Sequence, residues 1–218
     1  MGQYQQRIAC RLHINLLVAF CFVLSLSGCD VLTNNNEALP YYISKDLTPS
    51  WSAKNLHHIA AFSLLDQTNK AFNSNSLAGK IYVANFFFTT CPSICPKMTK
   101  CFKVLQDSIS NMQNVEMVSF SVMPWVDSVK KLKAYGEQHK INPAKWHLLT
   151  GEKASIYSLG RASFFADNNK STDSSTFLHT DKMYLIDQHK QIRGIYNATN
   201  LDDIARVLAD IKILQKNN

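Results

Sequence analysis

A chain of 218 residues, 46% hydrophobic and 18% charged, is long enough for one domain with a full core and too apolar to be mostly disordered. Lys and Arg outnumber Asp and Glu by 23 to 16, but Arg7 and Arg11 fall in the first 28 residues and the other basic residues are spread along the chain. The densest cluster, Lys130, Lys131 and Lys133, sits in a predicted helix and reads as a solvated face, which excludes a nucleic-acid partner.

The amino terminus reads as an export signal. Arg7 and Arg11 precede an apolar stretch, Ile14 to Leu26, that is shorter than the about 20 residues a spanning helix needs. Its end, "LSGC" at Leu26 to Cys29, resembles the bacterial lipoprotein processing site and marks Cys29 for lipidation. Residues 1–28 are therefore predicted to be a lipoprotein signal peptide. Residues 29–54, polar and Asn-rich around "TNNNEALP", read as a flexible membrane tether, and 55–218 as the folded domain. The domain is then expected in the bacterial cell envelope, lipid-anchored and outside the cytoplasm, which is the periplasm in a Gram-negative cell.

In the body, Ile59 to Leu65 reads as an early strand. Ile81 to Phe88, "IYVANFFF", has the continuous apolar character of a central strand covered on both faces. Met98, Cys101, Phe102, Leu105, Ile109 and Met112 recur at helical steps behind it. Val115 to Val122 is the next strand, and Asp127 is a plausible cap for a helix running towards His139. Trp146 to Leu149 reads as a short strand, Lys153 to Phe164 as a helix, and "ADNNKSTDSST" as a polar loop. Met183 to Ile186 and Gln191 to Tyr196 form a predicted hairpin around "DQHK". Ile204, Val207, Leu208, Ile211 and Leu214 give the last helix one apolar stripe. Strands alternating with helices and closing on a hairpin and a helix predict an α/β fold, a thioredoxin-like three-layer sandwich with a mixed central sheet.

Six cysteines are present, of which Cys10 and Cys21 leave with the signal and Cys29 carries lipid. Cys91, Cys95 and Cys101 remain, too few to staple a domain. A close pair in an oxidising compartment points to redox chemistry or metal binding. Cys91 and Cys95 follow the central strand, where open α/β sheets keep their ligands. Pro96 is comfortable only in a helix's first turn, so Cys91 to Ile94 reads as a loop and Cys95 as a helix start. Such a pair can close as a disulfide or hold one soft cation, and N-H groups at the helix start favour thiolate. Thr89, Thr90 and Ser93 suggest an exposed turn. Cys101 lies on the apolar stripe and reads as core, while His139, His147 and His189 read as surface positions. His57 and His58, adjacent before the first strand, point to opposite faces and rarely serve one ion together.

"CPSICP" after an apolar strand, "WHLLTG" at Trp146 to Gly151 and "LHTDKMYLIDQHKQIRGIYN" from Leu178 together resemble the Sco/SenC proteins, over about Ile59 to Leu214. The resemblance implies a thioredoxin-like copper-binding protein that assists assembly of the binuclear copper centre of cytochrome c oxidase. It implies Cys91, Cys95 and His179 as copper ligands, and the copper-bearing oxidase subunit or another thiol client as partner. Family members commonly carry acidic residues where this chain has Met123 and Leu178, a loss that should weaken Cu(II) binding more than Cu(I). Met123 itself reads as an inert strand-end methionine, with a soft contact from its thioether to Cu(I) as the alternative. Two function classes remain open. One is a copper metallochaperone using Cys91, Cys95 and His179. The other is a membrane-tethered thiol-disulfide oxidoreductase in which Cys91 attacks and Cys95 resolves.

Overall fold

The computed structural model describes residues 38–166, 178 and 180–216. Cys29, residues 167–176 of the polar loop and His179 lie outside the described residues, so the lipidation site and the predicted third ligand carry no structural account here.

Two strands form the centre. In β5 (Ile81–Phe87) the side chains alternate between two cores, with Ile81, Val83 and Phe87 to one side and Tyr82, Ala84 and Phe86 to the other. Parallel to it, β6 (Val115–Ser121) is buried along its whole length. Burial on both faces explains the continuous apolar run in β5. The polar residues between these strands are partnered. Trp146 donates through Nε1 to Ser119 Oγ at 2.7 Å, and Ser119 donates to Asn85 Oδ1 at 2.5 Å, so these three side chains satisfy one another.

Around this pair the sheet adds β3 (Ser63–Asp66), β4 (Ala71–Asn73), β7 (Trp146–Thr150), β8 (Lys182–Ile186) and β9 (Ile192–Asn197), in the order β4-β3-β7-β6-β5-β8-β9. β5, β6 and β7 run parallel and the remaining pairings are antiparallel. Buried residues of α1 (Ile94–Ser108), α2 (Val129–Gln138) and α4 (Leu201–Lys216) join one core; those of α3 (Lys153–Ser158) join the other. This is the mixed-sheet thioredoxin-like sandwich that the order of elements predicts.

Three local departures have physical causes. The early strand begins at Ser63 rather than Ile59 and gains a short partner, β4. The helix expected to run from Lys153 to Phe164 turns into a wider π turn at Leu159–Ser163. There Gly160 permits close packing: a Cβ at that position would lie 2.6 Å from Leu178 Cδ2 and 3.1 Å from Phe86 Cε1. The cap of α2 is Ser128, whose Oγ accepts from Lys131 N, and not Asp127, which turns inward and is fully buried. Lys130 and Lys133 are exposed on α2, as read from sequence.

Residues 38–50, inside the stretch read as tether, pack on the domain. β1 (Tyr41–Tyr42) pairs with β2 (Pro49–Ser50). Arg193 on β9 donates to the carbonyl oxygens of Leu39 and Pro40 at 2.6 and 3.1 Å, stands 3.9 Å from the Tyr41 ring centre, and pairs with Asp187 at 3.0 Å. Cation-π contact and a shielded ion pair make this grip stronger than an exposed surface pair.

Candidate metal centre

β5 ends at Phe87 and α1 begins at Ile94, so the intervening turn is set down at the carboxyl end of the central strand. Pro96 occupies the first helical turn, where its missing N-H has no helical acceptor to lose. Thr90, Pro92, Ser93 and Pro96 face solvent, yet both sulfur residues turn inward: Cys91 is 8% and Cys95 4% exposed. The expectation of an exposed cysteine turn is therefore corrected. The turn's backbone is exposed, and its thiols are packed into the core layer that holds α1. Both are free, and Cys101 is a buried core residue, as its place on the apolar stripe predicts.

The two thiols differ in character. Burial pushes Cys91 upward, but the N-H groups of Cys95 and Ser93, the Cys95 thiol and the N-H of Ile94 converge on its sulfur and jointly hold it below the usual thiol value. For Cys95 burial dominates and is reinforced by the neighbouring Cys91 and by Asp127, so its thiol is pushed up to about 12 despite one backbone donor from Phe88. The pair is thus biased towards a Cys91 thiolate accepting from a Cys95 thiol. Limited iodoacetamide treatment at pH 8 is expected to label Cys91 at least about a hundredfold faster than Cys95 or Cys101, with the Cys91 rate falling as pH drops through its lowered value. Peptide mapping checks this, and equal labelling of Cys95 would contradict the asymmetry.

Behind the pair, Thr99 Oγ1 donates to the Cys95 carbonyl at 2.8 Å and lies 2.6 Å from the Tyr135 hydroxyl. In front, Asp127 accepts from Thr89 N at 3.1 Å, Thr89 Oγ1 at 2.5 Å and Ser121 Oγ at 2.6 Å. Sequence reading missed this contact because Asp127 and Ser128 are both capping residue types and only one can cap. Met123, half-buried, opens the turn that delivers Asp127: its carbonyl accepts from Val126 N and Asp127 N, each at 2.8 Å.

Leu178 is fully buried where Gly160 and Phe86 meet, and its N-H reaches the Tyr157 hydroxyl, which donates to Val122 O at 3.0 Å. The residue preceding His179 is thereby fastened beside the carboxyl ends of β5 and β6, since Val122 N in turn donates to Phe87 O. Among the described residues no group of three or more His, Cys, Asp and Glu side chains gathers into a metal site; Cys91 and Cys95 supply two soft donors. His57 contacts Ser163 O at 2.8 Å and His58 contacts Gln191 at 3.1 Å, so the two rings serve different partners. His147 is not a surface position: it lies half-buried, 3.3 Å from Glu116 and against Phe72. His189 is exposed, and the half-buried His139 lies tilted against Tyr135 with ring centres 4.3 Å apart.

A family model described as SCO1/SenC matches residues 52–215. The crystal structure of a SCO1/SenC family lipoprotein from Bacillus anthracis is similar to this chain at 30% identity and TM-score 0.65, covering 74% of this chain and 96% of that one. BsSco, described as a member of the Sco family of cytochrome c oxidase assembly proteins with a disulfide switch, is similar at 28% identity and TM-score 0.60, over 72% and 95% of the two chains. Arabidopsis thaliana ScoI, solved with copper bound, is similar at 27% identity and TM-score 0.57, over 72% and 98%.

Proposed function

The chain belongs to the SCO1/SenC family, and on that premise we propose that it is a membrane-anchored copper metallochaperone that assists assembly of the binuclear copper centre of cytochrome c oxidase. Copper is cargo, held by Cys91, Cys95 and His179 and passed by ligand exchange to the copper-bearing oxidase subunit. The observation that carries this reading is the Cys91–Cys95 pair itself. One sulfur is already favoured as thiolate, the two are in hydrogen-bonding contact, and both lie out of bulk water at the end of the central strand. That donor chemistry fits a soft monovalent cation. With Met123 and Leu178 in place of acidic residues, Cu(I) is the favoured ion over Cu(II). The burial of Leu178 beside β5 and β6 supports His179 as the third ligand.

Residues 1–28 serve as the signal, and a lipidated Cys29 tethers the domain in the cell envelope outside the cytoplasm. Among the described residues no helix is long and apolar enough to cross a membrane.

A second reading draws on the same asymmetry. An activated Cys91 beside a protonated Cys95 also suits thiol-disulfide exchange with Cys91 as attacking sulfur. Anaerobic Cu(I) titration separates the two. The reduced protein is expected to bind one Cu(I), and His179→Ala to weaken it about tenfold to a hundredfold, with the thiols retained. Unchanged affinity in His179→Ala, together with rapid reduction of model disulfides by the wild type, would favour the oxidoreductase.

A further inference from the structure

Asp127 is fully buried, yet among the described residues no lysine, arginine or histidine pairs with it. An unpaired buried carboxylate is expensive unless hydrogen bonds replace its lost water. Here all the donors come from two places: Thr89, through both N-H and hydroxyl, and Ser121 at the end of β6. Thr89 stands two residues ahead of Cys91, between β5 and the turn that aims three N-H groups at the Cys91 sulfur. The carboxylate therefore joins the start of the cysteine turn to the neighbouring strand by three hydrogen bonds. The 123–127 turn supplies it, with Asp127 N fixed to Met123 O. The segment from β6 to α2 holds the motif at two points, Asp127 at Thr89 and Tyr135 through Thr99 at the Cys95 carbonyl.

We propose that Asp127 is a positioning residue for the Cys91–Cys95 pair: by anchoring Thr89 to β6 it holds the turn in the shape that presents both sulfurs inward to one ion. Its role is geometric. The carboxylate acts through Thr89, and what matters is an acceptor at that place. An asparagine, which keeps one acceptor oxygen and loses the charge, should substitute; an alanine should not. Alanine would leave the Thr89 N-H and hydroxyl without their partner and free the turn to fray.

The copper arm of the test rests on the copper-binding reading above; the exchange arm needs no metal. In the full chain without copper, hydrogen exchange by mass spectrometry over residues 88–95 is expected to speed up at least about tenfold in Asp127→Ala. Exchange should remain within about threefold of wild type in Asp127→Asn, with β5 and β6 unchanged in both. In Cu(I) competition, Asp127→Ala should lose about 10- to 100-fold in affinity and Asp127→Asn less than about threefold, the range typical of groups that orient ligands. Thr89→Val, which removes the hydroxyl donor without changing shape, should fall between them and serves if Asp127→Ala does not fold. Unaltered exchange in Asp127→Ala and Thr89→Val would overturn the proposal. Equal losses in Asn and Ala would also overturn it, because charge and not position would then be the cause. A wild type that binds no Cu(I) but shows the exchange pattern would remove the metallochaperone reading and leave the anchor standing.

Discussion

Cys95→Ser is expected to lower Cu(I) affinity by about a thousandfold, ~4 kcal/mol, and Cys91→Ser by a similar amount. A serine hydroxyl occupies nearly the same space but does not ionise near neutral pH and is a hard donor, so the pocket keeps its shape and loses half of its sulfur. The two variants should differ in a second respect. Cys95→Ser leaves the backbone donors from Ser93, Ile94 and residue 95 aimed at Cys91, so its remaining thiol stays activated. Cys91→Ser leaves only the deeply buried Cys95, which loses the upward push of Cys91 but is still raised by burial and reacts sluggishly with alkylating agents. Cys101→Ser, a buried core position in α1, is the control and should leave affinity unchanged. Anaerobic competition against a Cu(I) chelator measures all three. Affinity within tenfold of wild type in both Cys91→Ser and Cys95→Ser would rule the pair out as the binding site.

The second large effect is on stability. Phe102→Ala is expected to destabilise the domain by about 3–5 kcal/mol. Phe102 is fully buried on α1, and its ring centre lies 5.5 Å from that of Trp146 on β7, whose indole N-H is itself engaged with Ser119. Removing the ring opens a cavity between helix and sheet at a point where the backbone is fixed from both sides and cannot collapse. For a chain of this size each kcal/mol is worth about 2–4 °C, so the melting temperature should drop by roughly 6–20 °C. Thermal unfolding followed by circular dichroism is the measurement. A fall below about 3 °C would mean that α1, and with it Cys95, is fastened by something other than this contact.

How much of this is legible in the sequence depends on how far each cause extends. β5 and β6 are readable because both faces are buried, which writes an apolar run into consecutive residues. α4 is readable because one face is buried, which writes a stripe. β1, β2 and β4 are two or three residues long and leave no periodicity to detect. The π turn is hidden because its cause, the approach of Leu178 and Phe86 to Gly160, joins residues far apart in the chain. At the site, spacing and proline chemistry give the loop-to-helix junction at Cys91 and Cys95. Their depth and opposite protonation tendencies come from folded surroundings that no local pattern encodes. Thr89, Ser121 and Asp127 sit in three segments, and only the parallel pairing of β5 with β6 brings them together.

The Arg193 grip has a mechanical consequence. It closes on the carbonyl oxygens of Leu39 and Pro40, so it holds the main chain itself where that chain enters the domain. Tension applied ahead of Ala38 meets the Trp51 Nε1 bond to Ala38 O and then β9, an outer strand separated from β5 by β8. Tugging from that side would load one flank of the sheet and leave the cysteine turn at rest.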